Sequence, residues 1–485
     1  MSSHDLATIL PAGLVAGWAC ILVVVDLFIP RGRKGWTALL AAAGLVTALA
    51  TLLQAPALGT GPGFGGMIVA DTFALFLQAL FLIIGLVVVP LTFDYLRRMG
   101  IERGEYYVLL LFSLSGMMLM ALAGDLVVVF LALELLSLPL YVLAGFARPR
   151  FESEESAMKY FLLGAFASAL LVYGIALAYG ATGSTRLDAI LGSVRGGDAN
   201  PRFLLVGAGL ILAGLGFKVA AVPFHMWTPD VYHGAPSPAA AFMSVGAKAA
   251  GFAALLRVFL SGFPELAGFW APAAMWISAF TMAWGNVAAI AQSNIKRMLA
   301  YSSIAHAGYI LMALAASAGP DLAPAAASSA VFYLLAYAVT NLGAWGVVMV
   351  VEAAEGRGLA IDDYAGLSRR RPWVALAMAV FMLSLTGVPP TVGFLAKFYL
   401  FRAVIDAPGL LWLAIVGVVT SLVSAYYYLR VVVVMYMRAG EPETRREGWL
   451  GAVIGLTALA TIVLGLLPGP VLAWAEQARL LTYLR

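Results

Sequence analysis

Five side chains able to carry a proton stand at the centres of stretches that are otherwise apolar: Glu134, Lys218, Lys248, His306 and Lys397. Two of the lysines keep close company with prolines. Lys218 precedes Pro223 by five residues, and Lys397 follows the pair Pro389-Pro390, seven residues beyond Pro390. In a bilayer a mid-membrane lysine costs about 2.5–3.5 kcal/mol even on a lenient insertion scale. A proline frees a backbone carbonyl that lipid cannot satisfy. Both costs falling in one stretch points to a polar interior site, and amines, a carboxylate and an imidazole at one depth point to proton exchange.

Other chemistries find less support. The single cysteine, Cys20, lies in an apolar run and excludes a disulfide framework or a cysteine-ligated iron–sulfur cluster. His4, His225, His233 and His306 are too dispersed for a metal or haem motif, and no glycine-rich nucleotide loop occurs. No cofactor-binding or metal residue is therefore expected in this chain. The formal charge of +4 needs no nucleic-acid partner, because membrane topology accounts for it.

The elements that must position these groups are transmembrane helices. The 485 residues are 62% hydrophobic and 11% charged, with a mean hydropathy of +0.95, against roughly 25% charged residues in a soluble domain. A span needs about 20 apolar residues. Fourteen such segments are expected, at 6–29, 36–56, 71–96, 105–123, 125–147, 155–181, 203–232, 238–260, 269–291, 295–317, 324–353, 373–405, 409–438 and 448–474. The first lacks a basic flank before it and reads as a retained helix. The seventh and twelfth are too long for one straight helix, and Pro223 and Pro389-Pro390 interrupt them.

Loop charges set the orientation. The loops after odd-numbered spans hold seventeen lysines and arginines; the other side holds Arg186, Arg195, Arg202, Arg479 and Arg485. By the positive-inside rule the first side is cytoplasmic and both termini lie outside. The expected class is an all-α polytopic, multi-pass membrane protein with two five-helix repeats. Residues 1–104 form an N-terminal three-helix segment, 105–260 the first repeat, 261–440 the second, and 441–485 the last helix and tail. An odd number of helices per repeat forces opposite orientations, and the broken helix is fourth in each.

Static ion pairing does not explain the midplane set. Inserting Glu134, Lys218, Lys248 and Lys397 costs on the order of 10 kcal/mol, and one carboxylate cannot pair with three lysines. Desolvation and like charge both disfavour a buried ammonium, so such an amine can exchange protons near neutral pH. A carboxylate moving toward or away from Lys218 would load or release a proton. His306 suits a relay, since an unperturbed imidazole titrates at about 6.5; alone, it could also be a satisfied core histidine. His225, Tyr301 and Lys159 are possible accessories. Lys159, Arg257, Arg402 and Arg430 lie nearer span ends, where snorkelling to the interface is expected, and Asp71, Asp94 and Asp125 read as boundary residues.

Several runs resemble a known family. Leu133-Glu134-Leu135-Leu136-Ser137-Leu138-Pro139-Leu140-Tyr141 is similar to the fifth-helix motif of the antiporter-like membrane subunits of respiratory complex I. Phe217-Lys218 through Pro223-Phe224-His225-Met226-Trp227-Thr228-Pro229-Asp230 resembles their seventh helix. Gly234-Ala235-Pro236-Ser237-Pro238, Ser293-Asn294-Ile295-Lys296-Arg297 through Tyr301 to His306, and Pro389-Pro390-Thr391-Val392-Gly393-Phe394-Leu395-Ala396-Lys397 extend the likeness over helices four to thirteen. The form of the fifth helix and lysine at position 397 favour one of the three large paralogues, and no lateral C-terminal helix follows as in the longest.

The resemblance implies a proton-translocating subunit of an NADH:quinone oxidoreductase without a redox centre of its own. Glu134 would be the partner carboxylate and Lys218 the switching lysine. Lys248 and His306 would form a central relay, and Lys397 the lysine of the second half-channel. Flavin and iron–sulfur clusters would belong to partner subunits. The neighbours would be another antiporter-like subunit, small membrane subunits and the lipid bilayer. A subunit of a multisubunit cation/proton antiporter is the alternative, and a structural scaffold with locked charges a third reading. The scaffold predicts that Lys218→Ala damages assembly, whereas proton transfer predicts an assembled complex that pumps poorly.

Overall fold

The computed structural model describes residues 2–58, 60–319, 321–353 and 356–481; Arg485, counted above on the sparsely charged side, lies outside them. The helices are α1 (Ser3–Phe28), α2 (Gly35–Leu58), α3 (Thr72–Arg98), α4 (Glu105–Leu122), α5 (Leu126–Ala144), α6 (Phe151–Thr182) and α7 (Leu187–Gly196). Then follow α8 (Pro201–Lys218), α9 (Trp227–Gly234), α10 (Ser237–Phe242), α11 (Lys248–Arg257), α12 (Ala267–Ile290), α13 (Ile295–Ala316) and α14 (Ala323–Val351). The chain closes with α15 (Leu367–Arg370), α16 (Pro372–Thr386), α17 (Val392–Ile405), α18 (Leu411–Met437), α19 (Gly448–Leu466) and α20 (Gly469–Gln477).

Among the described residues thirteen helical segments are long and apolar enough to cross a membrane. The one expected span not among these, the twelfth, is the pair α16 and α17, split around Pro389-Pro390 into pieces of 15 and 14 residues. Neither piece spans alone, and together they do. Helices suit this solvent because they satisfy their own backbone polar groups where no water is available.

Several expectations need correction. The seventh span was expected to carry Lys218 in mid-helix, with the interruption at Pro223. Instead α8 ends at Lys218 itself, and residues 219–226 are non-helical before α9. Ala220 takes a left-handed conformation (φ 63°), which ends the helix, and Pro223 bars the preceding residue from helical geometry. The eighth span is not one regular helix: Met243–Ala247 and Val258–Gly262 are π-helical turns flanking α11. The last expected span, 448–474, divides at Leu467-Pro468 into α19 and α20. The sixth begins at Phe151, so Glu152 and Glu154 occupy its first turn, where the helix dipole favours negative charge. The short helix α7 and a small antiparallel ribbon of β1 (Gly61–Gly63) and β2 (Ile68–Ala70) were not anticipated.

The two five-span units share a local register. Asp125 caps α5 and Asn294 caps α13, each beginning the second helix of its unit. Beside each cap the chain forms the same two-bond backbone clasp with the loop after the third helix. Leu126 N–H donates to Thr185 O (2.9 Å) and Leu187 N–H to Gly124 O (3.0 Å); Ile295 N–H donates to Leu359 O (2.9 Å) and Ile361 N–H to Ser293 O (2.8 Å). Nine residues before each cap a glycine lets two helices touch backbone to backbone. A Cβ on Gly116 would lie 2.5 Å from Leu136 N, and one on Gly285 would lie 2.6 Å from Ala305 N. Counting from the caps aligns Ser137 with His306 and Glu134 with Ser303. The clasps close loops separated by five spans, so they face opposite sides of the membrane.

Candidate functional site: a buried chain of lysines

Lys218, the last residue of α8, is 4% exposed. Its ammonium donates to Ser137 Oγ on α5 (2.7 Å) and to Tyr160 OH on α6 (2.9 Å). It also stands 5.2 Å from the centre of the Tyr160 ring. Ser137 passes its own proton back to Leu133 O (2.5 Å), which leaves its lone pairs to the lysine. Tyr160 stacks on Trp227 at 4.5 Å, and the Trp227 indole donates to Phe217 O across the break (3.0 Å). On the far side of the break, Val222 N–H donates to Thr281 Oγ1 of α12 (2.9 Å). A disrupted helix thus has its freed groups satisfied by neighbours, as the membrane interior demands.

Glu134 lies one turn before Ser137 on α5, half-buried, and accepts a hydrogen bond from Ser168 Oγ on α6 (2.5 Å). It forms no ion pair with Lys218. Among the described residues Lys218, Lys248 and Lys397 all lack a carboxylate within salt-bridge reach.

Lys248 follows the first π turn of the eighth span, where its ammonium donates to Ser303 O of α13. A Cβ on Gly251, one turn further along α11, would lie 3.5 Å from the Lys218 stem, so the two lysines rise from elements in contact. The Tyr337 ring of α14 lies between Lys248, at 5.9 Å, and His306, at 4.9 Å. His306 bonds through Nδ1 to Tyr333 OH (2.7 Å) and through Nε2 to Tyr428 OH (3.2 Å). Tyr428 OH is in turn 2.5 Å from Ser302 Oγ.

Lys397 reaches back from α17 to the end of α16. Its ammonium donates to Leu385 O (3.0 Å) and Thr386 O (2.8 Å), and to Ser421 Oγ of α18 (2.7 Å). Both break lysines thus sit at the C-terminus of the first half-helix, where the backbone dipole favours a cation. Lys218 is there by its place in the chain and Lys397 by its reach. The Tyr309 ring lies 5.0 Å from Lys397 and edge-on to His306 at 5.7 Å, completing a file from Lys218 to Lys397.

Of the accessory residues, His225 is half-buried inside the first break, its ring 6.1 Å from Trp284. Lys159 stands apart from the file in a surface cluster, pairing with Glu155 (2.6 Å) and Asp230 (2.7 Å), while Arg297 bonds Asp230 (2.8 Å). Tyr301 is half-buried on α13 and joins none of the bonds described. Pro223 and Pro389-Pro390 lie within the two breaks.

Snorkelling fails for Arg257. It is 2% exposed and forms a bidentate pair with Asp71, the N-cap of α3, at 2.8 and 2.7 Å, and donates to Ala121 O (3.0 Å). Its long arm points inward because a buried acceptor set awaits it. Arg430 likewise turns to the backbone end of α12, donating to Ile290 O (3.2 Å) and Gln292 O. Sequence reasoning missed Tyr160, Tyr309, Tyr333, Tyr337, Tyr428 and Ser421. The helical spacing of the tyrosines within apolar spans was the available signal.

Comparison with known proteins agrees with this architecture. The chain belongs to the family of membrane-spanning subunits shared by NADH:quinone oxidoreductase and the Mrp antiporter, whose model matches residues 123–424. It is 50% identical to the NADH-quinone oxidoreductase subunit N of Chloroflexus aggregans, over 98% of this chain and 97% of that one. Identity to the subunit N of Trichlorobacter lovleyi is 44%, over 98% and 97%. Among solved structures it is similar to a chain of respiratory complex I from Thermus thermophilus with bound Aureothin. That match has TM-score 0.81 and 37% identity, covering 96% of this chain and 99% of that one. A chain of the Mrp complex from Dietzia shares the fold at TM-score 0.85 and 22% identity, over 99% and 97%.

Proposed function

We propose that this chain is the proton-translocating, antiporter-like membrane subunit of an NADH:quinone oxidoreductase, in the position of subunit N. One observation carries the reading: three buried lysines, held by hydroxyls or backbone carbonyls and none by a carboxylate, set in one file with His306 and the Tyr337 and Tyr309 rings across two helix breaks. An ammonium fixed in an ion pair is a structural part. An amine solvated by neutral groups keeps much of its surroundings when it loses a proton.

Lys218 is the switching lysine of the first half, and Ser137 and Tyr160 hold it. Glu134, a turn away, loads or releases it by moving toward or away from that pair. Lys248 and His306 relay between halves, and Lys397 serves the second half-channel. His225 lies at the end of the first break that faces the basic side. Ser303 Oγ and Tyr337 OH are buried without a protein partner, and polar groups of that kind bond water. Water there would bridge Lys248 to the rest of the file.

The basic loops face the cytoplasm, with both termini outside. Quinone reduction, flavin and iron–sulfur clusters belong to partner subunits, and this chain supplies translocation alone. Its membrane neighbours are another antiporter-like subunit and small membrane subunits. The equivalent clasps and glycine contacts support a division into residues 105–260 and 261–440, between the N-terminal segment 1–104 and the tail 441–485.

The test is Lys218→Ala in the whole complex in vesicles. The assembled complex should pump protons far more slowly, and normal pumping by assembled Lys218→Ala complex would sink the mechanism. The fold shared with the Mrp complex keeps a cation/proton antiporter subunit as the second reading. Purification separates them, because the first predicts flavin and iron–sulfur partners and the second does not.

A further inference from the structure

One face of α14 carries a polar stripe that begins at the lysine file, with Tyr333 and Tyr337, and runs on beyond it. Tyr333, Tyr337, Asn341 and Trp345 recur every four residues, and Glu352 follows just beyond the last helical residue. At 3.6 residues per turn these five fall within about 120° of arc, and Tyr337 to Glu352 spans about 22 Å of helix. Every member is buried, Glu352 to 1% exposure.

The stripe faces the start of the eighth span. Ser237 Oγ, at the head of α10, donates to Glu352 Oε2 (2.5 Å), and Asn341 Nδ2 donates to Ser244 Oγ in the π turn just before Lys248 (2.7 Å). Tyr95 of α3 holds the other Glu352 oxygen (3.1 Å), and the Lys296 ammonium bonds Ala235 O nearby (2.7 Å). Three atoms in succession, Tyr337 OH, Asn341 Oδ1 and Trp345 Nε1, are buried with no protein partner. Each orphan costs about 1–3 kcal/mol unless water satisfies it, and here they line up on one face between a carboxylate and a lysine. At the Glu352 end a surface cavity of about 290 Å³ is lined by Val351, Ala353, Arg357, Gly358, Asp362 and Glu443, flanking the glutamate on both sides in sequence.

We propose that the buried face of α14 is a proton entry from the basic side of the membrane, with Glu352 at its mouth and Lys248 at its inner end. It rests on the reading of Lys248 as a proton carrier. Glu352 takes a proton from water in the surface cavity. Water held by Trp345 Nε1, Asn341 and Tyr337 OH passes it inward, and the Lys248 amine accepts it as the carboxylate is restored. The path enters between the two repeats, apart from the Lys218 break.

The whole complex in vesicles tests this with Glu352→Gln, Trp345→Phe and Tyr337→Phe, beside Lys248→Ala as reference. Trp345→Phe removes an unpartnered donor and keeps one aromatic ring in the buried site, and Tyr337→Phe removes a hydroxyl next to Ser303 and keeps its ring. If the stripe has no part in proton entry, the assembled Trp345→Phe complex pumps at the normal rate. The entry path predicts a several-fold lower pumping rate in assembled complexes of all three, with Glu352→Asp restoring much of it. Normal pumping in Glu352→Gln and Trp345→Phe, while Lys248→Ala pumps poorly, overturns the path alone. Normal pumping in Lys248→Ala overturns the midplane reading with it. If Glu352→Gln fails to assemble, Trp345→Phe decides, because Trp345 lies outside the lysine file.

Discussion

Lys218 and Arg257 are both buried cations, and their surroundings give them opposite work. Arg257 keeps its charge in any protein setting, and its planar fork meets both Asp71 oxygens. That pair joins the eighth span to the head of α3, where Asp71 also accepts Leu481 N–H of the tail (2.8 Å). Removing one partner strands the other, so Arg257→Ala should destabilise the subunit by about 3–5 kcal/mol. Thermal dissociation of the purified complex would report it as early loss of this chain. Lys218 has only neutral partners and can give its proton away. Lys218→Arg keeps the positive charge but forbids release, so pumping in the assembled complex should fall as low as in Lys218→Ala. Preserved pumping in Lys218→Arg would mean that the charge, and not proton exchange, is what matters there. The sequence marked both residues as intramembrane cations. It could not tell the fixed one from the mobile one, because the difference lies in Asp71, 186 residues away.

At the scale of elements, the prolines announced where two helices would break but not how. Pro223 lies inside the first break, yet α8 stops at Lys218 because Ala220 turns left-handed and Thr281 and Trp227 collect the freed backbone groups. Thr281 comes from α12, 59 residues along the chain, so the breakpoint was not readable locally. The π turns before and after α11 were equally hidden. The repeat was better written: the order of lysine and proline implied it, and the paired clasps and glycines give its register. Gly116→Ala and Gly285→Ala each press a methyl onto the next helix's backbone. Overpacking of this kind typically costs about 1–3 kcal/mol, and both variants should lower the temperature at which the subunit leaves the complex by comparable amounts. Tolerance of one and not the other would mean the two units differ at this contact.

For the whole molecule, loop charge predicts the orientation, with the basic loops inside. In a Cys20→Ser background, Gly32→Cys and Gly192→Cys place thiols at exposed positions with open space around them. A membrane-impermeant maleimide applied to intact cells should label Gly192→Cys and spare Gly32→Cys, and the reverse pattern would invert the topology.

The sequence by itself determined the solvent, the helix count to within the split twelfth span, which loops carry the basic residues, and the five ionisable groups within the apolar spans. Composition and hydropathy act locally along the chain, so one dimension holds them. Tertiary structure alone decided which groups touch. It seated Lys218 on Ser137 and Tyr160 and kept it out of any ion pair with Glu134. It placed His306 between Tyr333 and Tyr428. It also aligned Tyr337, Asn341 and Trp345 against the eighth span, above Glu352. In a medium without water a polar group must find its partner inside the protein, and only packing brings that partner from another helix.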